Sequence, residues 1–107
     1  MFTSRKDADV LKANAQATAA DAVITLNAAP ANHKNHLSRI IWSYSATPTN
    51  GRLTIAVAGV TIGTWAITAA GPAPLGVNIR DARPMTITLA SGGGGVVGDV
   101  YCEYFDR

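Results

Sequence analysis

Three features of the 107-residue sequence predict an all-β fold, namely an antiparallel jelly-roll-like β-sandwich with an extended N-terminal arm. The chain contains eight Val, eight Ile and eleven Thr, which are β-branched, but only six Leu. This excess of β-branched residues favours strands. Ten Gly and five Pro are typical of a fold with many turns. Short alternating segments recur at a spacing of roughly 8–12 residues, which is typical of sandwiches and small barrels and predicts about seven or eight strands.

The alternating segments begin at residue 22 and continue almost to the end of the chain. In each, apolar residues alternate with polar or small ones, and Gly, Pro, Asn or Ser residues interrupt the pattern between segments. Two antiparallel sheets packed face to face let such half-apolar strands bury their inner sides. The predicted strands, in chain order, cover residues 22–27, 37–45, 53–57, 60–67, 75–79, 85–89 and 96–104.

The clearest hairpin joins residues 53–57 to residues 60–67 through the turn Ala58-Gly59. Gly63 interrupts the alternation of the second strand, and we expect a β-bulge there. The segment 70–74 ends that strand, because its two prolines cannot donate a hydrogen bond to a sheet.

The apolar side of each alternating segment predicts the core of the sandwich. Large rings at such positions usually fill the core of a small sandwich, although Trp42, Tyr44 and Trp65 could also form a stacking platform for sugars or bases. The predicted core residues are Ile40, Trp42, Tyr44, Leu53, Ile55, Val57, Ile87, Leu89, Val100, Cys102 and Tyr104.

Residues 1–21 have few large apolar side chains and no apolar face to bury, and we interpret them as an N-terminal arm preceding a sandwich domain at 22–107. Such an arm is either a frayed terminus or a segment that becomes ordered against a neighbouring subunit. The predicted contact residues of the arm are Phe2, Arg5, Val10 and Leu11.

Charge and cysteine content argue against several kinds of function. Charged residues make up only 15% of the chain, and the formal net charge of +2 is scattered, which predicts no nucleic-acid partner. Cys102 is the only cysteine, so an intrachain disulfide is excluded, and we interpret it as a buried thiol. No secretory leader and no membrane-spanning run is found, which predicts a soluble chain made in the cytosol with no membrane partner.

Three groups of residues could in principle carry chemistry. The four glycines at 92–95 lead into a β pattern without a Lys or a helix, which favours a flexible turn over a phosphate-binding loop. His33 and His36 have no nearby carboxylate or thiol in sequence, which favours a surface pair over a metal site. Ser, His and Asp occur without a nucleophile motif. The sequence therefore predicts no catalytic residues, no metal, no cofactor and no enzyme.

The order of strands and turns resembles that of small virion proteins of tailed bacteriophages. The resemblance extends over about residues 22–105 and includes the sequence from His36 to Ile55, with Trp42-Ser43-Tyr44-Ser45 and Pro48-Thr49-Asn50-Gly51 within it. The further matching segments are 59–62, 67–72, 85–93 and 100–104.

The resemblance implies a jelly-roll capsid decoration or cement protein on the surface of the virion, made in the host cytoplasm. Its implied partners are the major capsid protein and further copies of itself, as a trimer or alternatively as a dimer. A protein that binds only the assembled shell stabilises that shell by mass action, and many weak contacts act together. Such a role requires contact area and no active site.

Other functions remain open from the sequence. A tail, fibre or neck component is one alternative, and a carbohydrate-binding module for host attachment is another, which would require exposed aromatic side chains. A small hydrolase would require an activity that depends on His36.

Overall fold

The computed structural model describes residues 10–106 and contains eight β-strands. Strands β4 and β5 form a hairpin within one sheet, whereas every other connection crosses to the opposite sheet. In chain order the strands are β1 (Leu11–Thr18), β2 (Ala22–Leu26), β3 (Asn35–Tyr44), β4 (Gly51–Val57), β5 (Val60–Ile67), β6 (Ala73–Asp81), β7 (Met85–Leu89) and β8 (Val97–Asp106).

Two four-stranded antiparallel sheets pack face to face. The first sheet has the strand order β1-β8-β3-β6, and the second has the order β2-β7-β4-β5. The edge strands are therefore β1 and β6 in the first sheet and β2 and β5 in the second. The predicted all-β, jelly-roll-like sandwich is confirmed.

The hairpin of β4 and β5 has the predicted turn, and its bulge lies one residue before the predicted position, Gly63. Ala58 and Gly59 both have positive φ, at 50° and 82°, which matches the tight turn whose twist suits a hairpin. Ile55 lies opposite Gly63, whereas the next residue, Ala56, lies opposite Thr61, so Ile62 is the additional residue of a β-bulge.

The core lies between the inner faces of the two sheets. Nine of the eleven predicted core residues are buried, while Trp42 and Tyr104 are only half-buried against the core. Both exceptions are large rings with polar atoms, and such rings keep part of their surface exposed in a small domain. Sequence analysis omitted six other buried apolar residues, which are Ala22, Ile24, Leu26, Leu37, Ile67 and Met85.

Tyr44 joins the two sheets at one end of the core. Its hydroxyl donates a hydrogen bond of 2.7 Å to the carbonyl of Ala90, the residue that follows β7. Burial raises the pKa of the phenol above its ordinary value, so the hydroxyl stays protonated and able to donate at neutral pH.

The predicted arm at 1–21 is partly wrong, because Leu11–Thr18 form the edge strand β1 of the first sheet. Ala13, Ala15 and Ala17 alternate with polar residues and lie half-buried against the core. The sequence has no large apolar face here, which is why a strand was not predicted. Alanine is sufficient as the inward residue because main-chain hydrogen bonds to β8 hold this strand in place. The sandwich therefore begins before residue 22. Residues 1–9 lie outside the described part of the chain.

Strand β6 is longer than the predicted 75–79, since it covers Ala73–Asp81 and includes Pro74. A proline cannot donate to a ladder and is therefore confined to edge strands and bulges. Pro74 lies opposite Ile41 of β3, and β6 is an edge strand, so the missing N–H group interrupts no central ladder.

We expect Gly51→Ala to destabilise the fold by about 1–3 kcal/mol, because overpacking at a rigid site forces the backbone to shift. A Cβ atom at Gly51 would lie 2.7 Å from the carbonyl oxygen of Ile67 and 2.9 Å from Cγ of Pro48. Gly94→Ala is the control, since its Cβ would meet nothing within 4 Å. Urea unfolding of both variants measures the difference, and equal midpoints would contradict close packing at the start of β4.

Candidate functional site

The predicted contact residues of the arm fall into two groups. Val10, immediately before β1, is 41% exposed, and Leu11, the first residue of β1, is 39% exposed. Phe2 and Arg5 lie outside the described residues, so the structure does not place them. Of the four predicted residues, the two that are described are therefore exposed apolar side chains.

His33 and His36 point to different partners. Nδ1 of His33 lies 2.8 Å from Oδ1 of Asp106, whereas Nε2 of His36 lies 2.6 Å from Oδ1 of Asn78. Over residues 10–106, no group of three or more His, Cys, Asp or Glu side chains lies close enough to hold a metal ion.

The loop of four glycines is buried at its first residue, Gly92, and is exposed at Gly94 and Gly95. Gly93 and Gly95 have positive φ, which matches the predicted turn. The amide of Thr49 donates a 2.8 Å hydrogen bond to the carbonyl of Gly92. A Cβ atom at Gly92 would lie 2.8 Å from the ring of Tyr44, so this position requires the small residue.

One cavity of about 230 Å³ lies beside β1. Its lining includes Leu11, Tyr104, Asp106 and the loop around Ala28. Asn35, which also lines it, is buried, and its side-chain amide donates a 2.8 Å hydrogen bond to the carbonyl of Asn27. Two of the polar lining groups are therefore bonded to each other, whereas Asp106 bonds to His33 outside the lining.

The exposed apolar side chains concentrate on the sheet edges. All six large ones among the described residues lie on the edge strands β1, β2 and β5 or immediately before β1. Strands β2 and β5 contain no charged residue at all. These side chains are Val10, Leu11, Val23, Val60, Ile62 and Trp65.

Strand β5 has the largest such surface. Val60 is 65% exposed and Ile62 is 50% exposed. Trp65 lies opposite Leu53 in the β4–β5 ladder, so both point to the inner face. Leu53 is buried, whereas Trp65 remains 37% exposed. The inner face of β5 therefore emerges from the sandwich as apolar surface.

The indole of Trp65 lies over Gly63, its neighbour two residues earlier on the same face of β5. A Cβ atom at Gly63 would lie 2.7 Å from Cη2 of Trp65. The absence of a side chain at Gly63 thus gives the ring room to lie along the strand. The sequence predicts Trp65 either in the core or on a ligand platform, and in the structure it lies on the edge strand β5.

The outer face of the second sheet is rich in threonine. Thr54, Thr64 and Thr88 lie side by side across β4, β5 and β7. The hydroxyls of Thr54 and Thr64 are 3.3 Å apart, and Arg52 donates a 3.1 Å hydrogen bond to Thr64. This flat face offers methyl and hydroxyl groups with little charge.

The exposed positions of Val23, Val60 and Ile62 were not predicted from the sequence. The one feature that could have indicated them is that strands 22–26 and 60–67 contain no charged residue. Alternation alone could not show which strands lie at the edges, because strand order depends on contacts between distant segments.

We expect the thiol of Cys102 to react with thiol reagents only after unfolding. Burial raises its pKa to about 11, and only the thiolate is nucleophilic. Because folding raises this pKa, ionisation of the thiol favours the unfolded state. The contribution of the protonated thiol to the free energy of unfolding is therefore fully present below pH 9, its ordinary pKa, and is lost as the pH rises toward 11. Fast labelling of the native protein at pH 8 would contradict this burial.

Comparisons with known proteins indicate the fold alone. No protein-family model and no curated protein sequence matches the chain. The Drosophila NLP core is similar in structure to this chain, with a TM-score of 0.57 and 12% sequence identity. The match covers 92% of this chain and 98% of the NLP core, whose crystal structure provides insight into pentamer formation and histone binding. A CBM4 carbohydrate-binding module superposes with a TM-score of 0.50 at 10% identity, covering 88% and 82%.

Over residues 10–106, no helix is long and apolar enough to cross a membrane. The similar structures share the β-sandwich fold with this chain. The chain is therefore a jelly-roll-like β-sandwich of the same general fold as the NLP core and the carbohydrate-binding modules.

Proposed function

We propose that this chain is a non-enzymatic structural protein of a tailed bacteriophage, which assembles through its sheet edges into a homo-oligomer on the capsid exterior and stabilises the shell. The observation that carries the proposal is the position of the exposed apolar side chains, all of which lie on or next to edge strands. A trimer is the expected assembly, with a dimer as the alternative, and the major capsid protein is the expected partner.

Edge strands of soluble proteins are normally protected against pairing with other chains. Charged side chains, prolines and bulges are the usual protection. Strand β6 has Pro74 and Arg80, in agreement with this rule. Strand β5 has no charge and no proline over its eight residues, and its single bulge lies at Ile62, which is itself half-exposed. Such an edge is suited to contact with another protein.

The lack of strong charge fits contacts between identical subunits. Like-charge repulsion opposes the meeting of two copies of the same surface, and the β5 edge and the threonine face contribute little charge to oppose it. A β-sandwich of this fold assembles in the case of the NLP core, whose structure was described for pentamer formation. That likeness concerns the fold alone.

The capsid location rests on the resemblance of residues 22–105 to phage virion proteins. A shell presents many identical sites, so weak apolar contacts at each copy add to a strong total. Binding to the assembled shell, and not to free coat protein, shifts the equilibrium away from disassembly.

We expect Ile62→Lys to weaken self-association by roughly ten-fold or more, because a charge would be buried in an apolar contact. Light scattering coupled to size exclusion measures the assembly across a concentration series. Mass spectrometry of purified particles then gives the ratio of this chain to the major coat protein, which is expected to be a simple fraction.

Thr47→Lys is the matched control, since it adds the same charge in an exposed loop away from the edges. Thermal melting of both variants separates lost association from lost folding. A wild-type protein that stays monomeric at high concentration, or that is absent from the particles, would contradict the proposal. A few copies per particle would indicate a tail or neck component instead.

A carbohydrate-binding module for host attachment is the second candidate, and Trp65 is the observation that favours it. An exposed aromatic ring that lies flat can stack against the apolar face of a sugar ring. The ring of Trp65 lies over Gly63 with more than a third of its residue surface exposed.

If Trp65 binds sugars, its fluorescence should change on titration with soluble cell-surface oligosaccharides. Trp42→Phe leaves Trp65 as the only tryptophan and provides the reporter protein. Trp65→Phe, in which the half-buried Trp42 reports, should show no change. An unchanged spectrum of the Trp42→Phe protein at millimolar glycan would exclude the attachment function at this residue.

A further inference from the structure

We propose that strand β1 is exchanged between copies of this chain, so that β1 of one subunit completes the first sheet of a neighbouring subunit. The inference rests on the homo-oligomeric state proposed above and specifies how the subunits are joined. It follows from how β1 is attached, from the connection to β2, and from the fit between β1 and β8.

Strand β1 is attached to the sandwich mainly by its backbone. It lies at the edge of the first sheet and pairs there only with β8. None of its residues is fully buried, and its inward side chains are three half-buried alanines. Among residues 10–106, no side chain of β1 takes part in a hydrogen bond or an ion pair. Detaching β1 therefore breaks a ladder that an identical strand can form again.

The connection from β1 to β2 is short and strained. Only residues 19–21 join the end of β1 in the first sheet to the start of β2 in the second. Ala19 has φ of 54°, a left-handed conformation that is unfavourable for a residue with a Cβ atom. Opening the connection lets Ala19 return to an extended conformation.

The residues on either side of the connection show where it would bend. The amide of Ala19 donates a 3.0 Å hydrogen bond to the carbonyl of Val96. Oδ1 of Asp21 accepts a 2.8 Å hydrogen bond from the amide of Ser91, which anchors the β2 side. The change of direction is therefore concentrated at residues 19–20, and short hinges under strain favour exchange of a strand.

The fit between β1 and β8 identifies the occupant as a second copy of β1. The register runs over eight residue pairs, from Leu11 opposite Tyr104 to Thr18 opposite Val97. Each inward alanine faces a defined neighbour on β8, and Ala17 lies opposite Gly98. An identical strand restores every one of these pairs. Exchange keeps every β1–β8 pair of the closed subunit and adds the release of strain at Ala19.

A disulfide across the β1–β8 ladder tests the exchange. Gln16 lies directly opposite Asp99, and cross-strand neighbours at this spacing can be joined by a disulfide. The variant Gln16→Cys, Asp99→Cys is made with Cys102→Ala, which removes the only native cysteine. The full-length protein is oxidised as the native oligomer and analysed on a non-reducing denaturing gel.

The matched control is Ser43→Cys with Asp99→Cys in the same Cys102→Ala chain. Ser43 lies opposite Asp99 on the other side of β8, and both strands stay in the same subunit under exchange of β1. The control is expected to give a disulfide within one chain. The Gln16 variant is expected to give covalent oligomers of the size found by light scattering, and these are converted to monomers by reduction.

The outcomes separate the exchange from the proposed function. A native oligomer with a disulfide within each chain of the Gln16 variant overturns the exchange and leaves the homo-oligomer intact. A monomer in light scattering overturns both.

Because Gly tolerates positive φ, Ala19→Gly removes the strain of the closed hinge and is expected to weaken association by about five-fold per exchanged strand. Unchanged association of Ala19→Gly contradicts the role of the hinge.

Discussion

Packing of the two sheets through their inner faces is the interaction on which the rest of the structure depends. Ile40 and Cys102 from the first sheet and Ile55 and Ile87 from the second are fully buried between them. These residues belong to the central strands β3, β8, β4 and β7. The chain has no disulfide, so burial of these apolar side chains is the main stabilising contribution. The hydrogen bond from Tyr44 to Ala90 aligns the sheets at one end.

A core concentrated in the central strands leaves the outer strands exposed. A chain of 107 residues buries a smaller share of its surface than a larger domain does. Here the exposed apolar part is found on β1, β2 and β5, while β6 has Pro74 and charged residues. The same constraint that builds the core thus leaves apolar side chains exposed on edge strands. The proposed edge-to-edge assembly rests on this distribution, and the proposed exchange of β1 rests on the weak side-chain attachment of one edge strand.

Prediction from the sequence was most successful where local patterns carry the structural information. The hairpin of β4 and β5 follows from alternation and from a turn with two positive φ angles. It was least successful for Leu11–Thr18, because alternating alanine looks the same in an arm, a helix or a strand. Trp42 and Tyr104 were assigned to the core, yet both remain half-buried.

The sequence by itself determined the all-β class, most of the strands, the hairpin and its bulge, because these depend on neighbouring residues and on period-two alternation. Only the tertiary structure decided which strands are edges, and with them the candidate site. Val60, Ile62 and Trp65 have the composition of a buried strand, yet they lie exposed on the edge strand β5. Strand order is set by contacts between segments far apart in the chain, so it cannot be predicted from local sequence patterns.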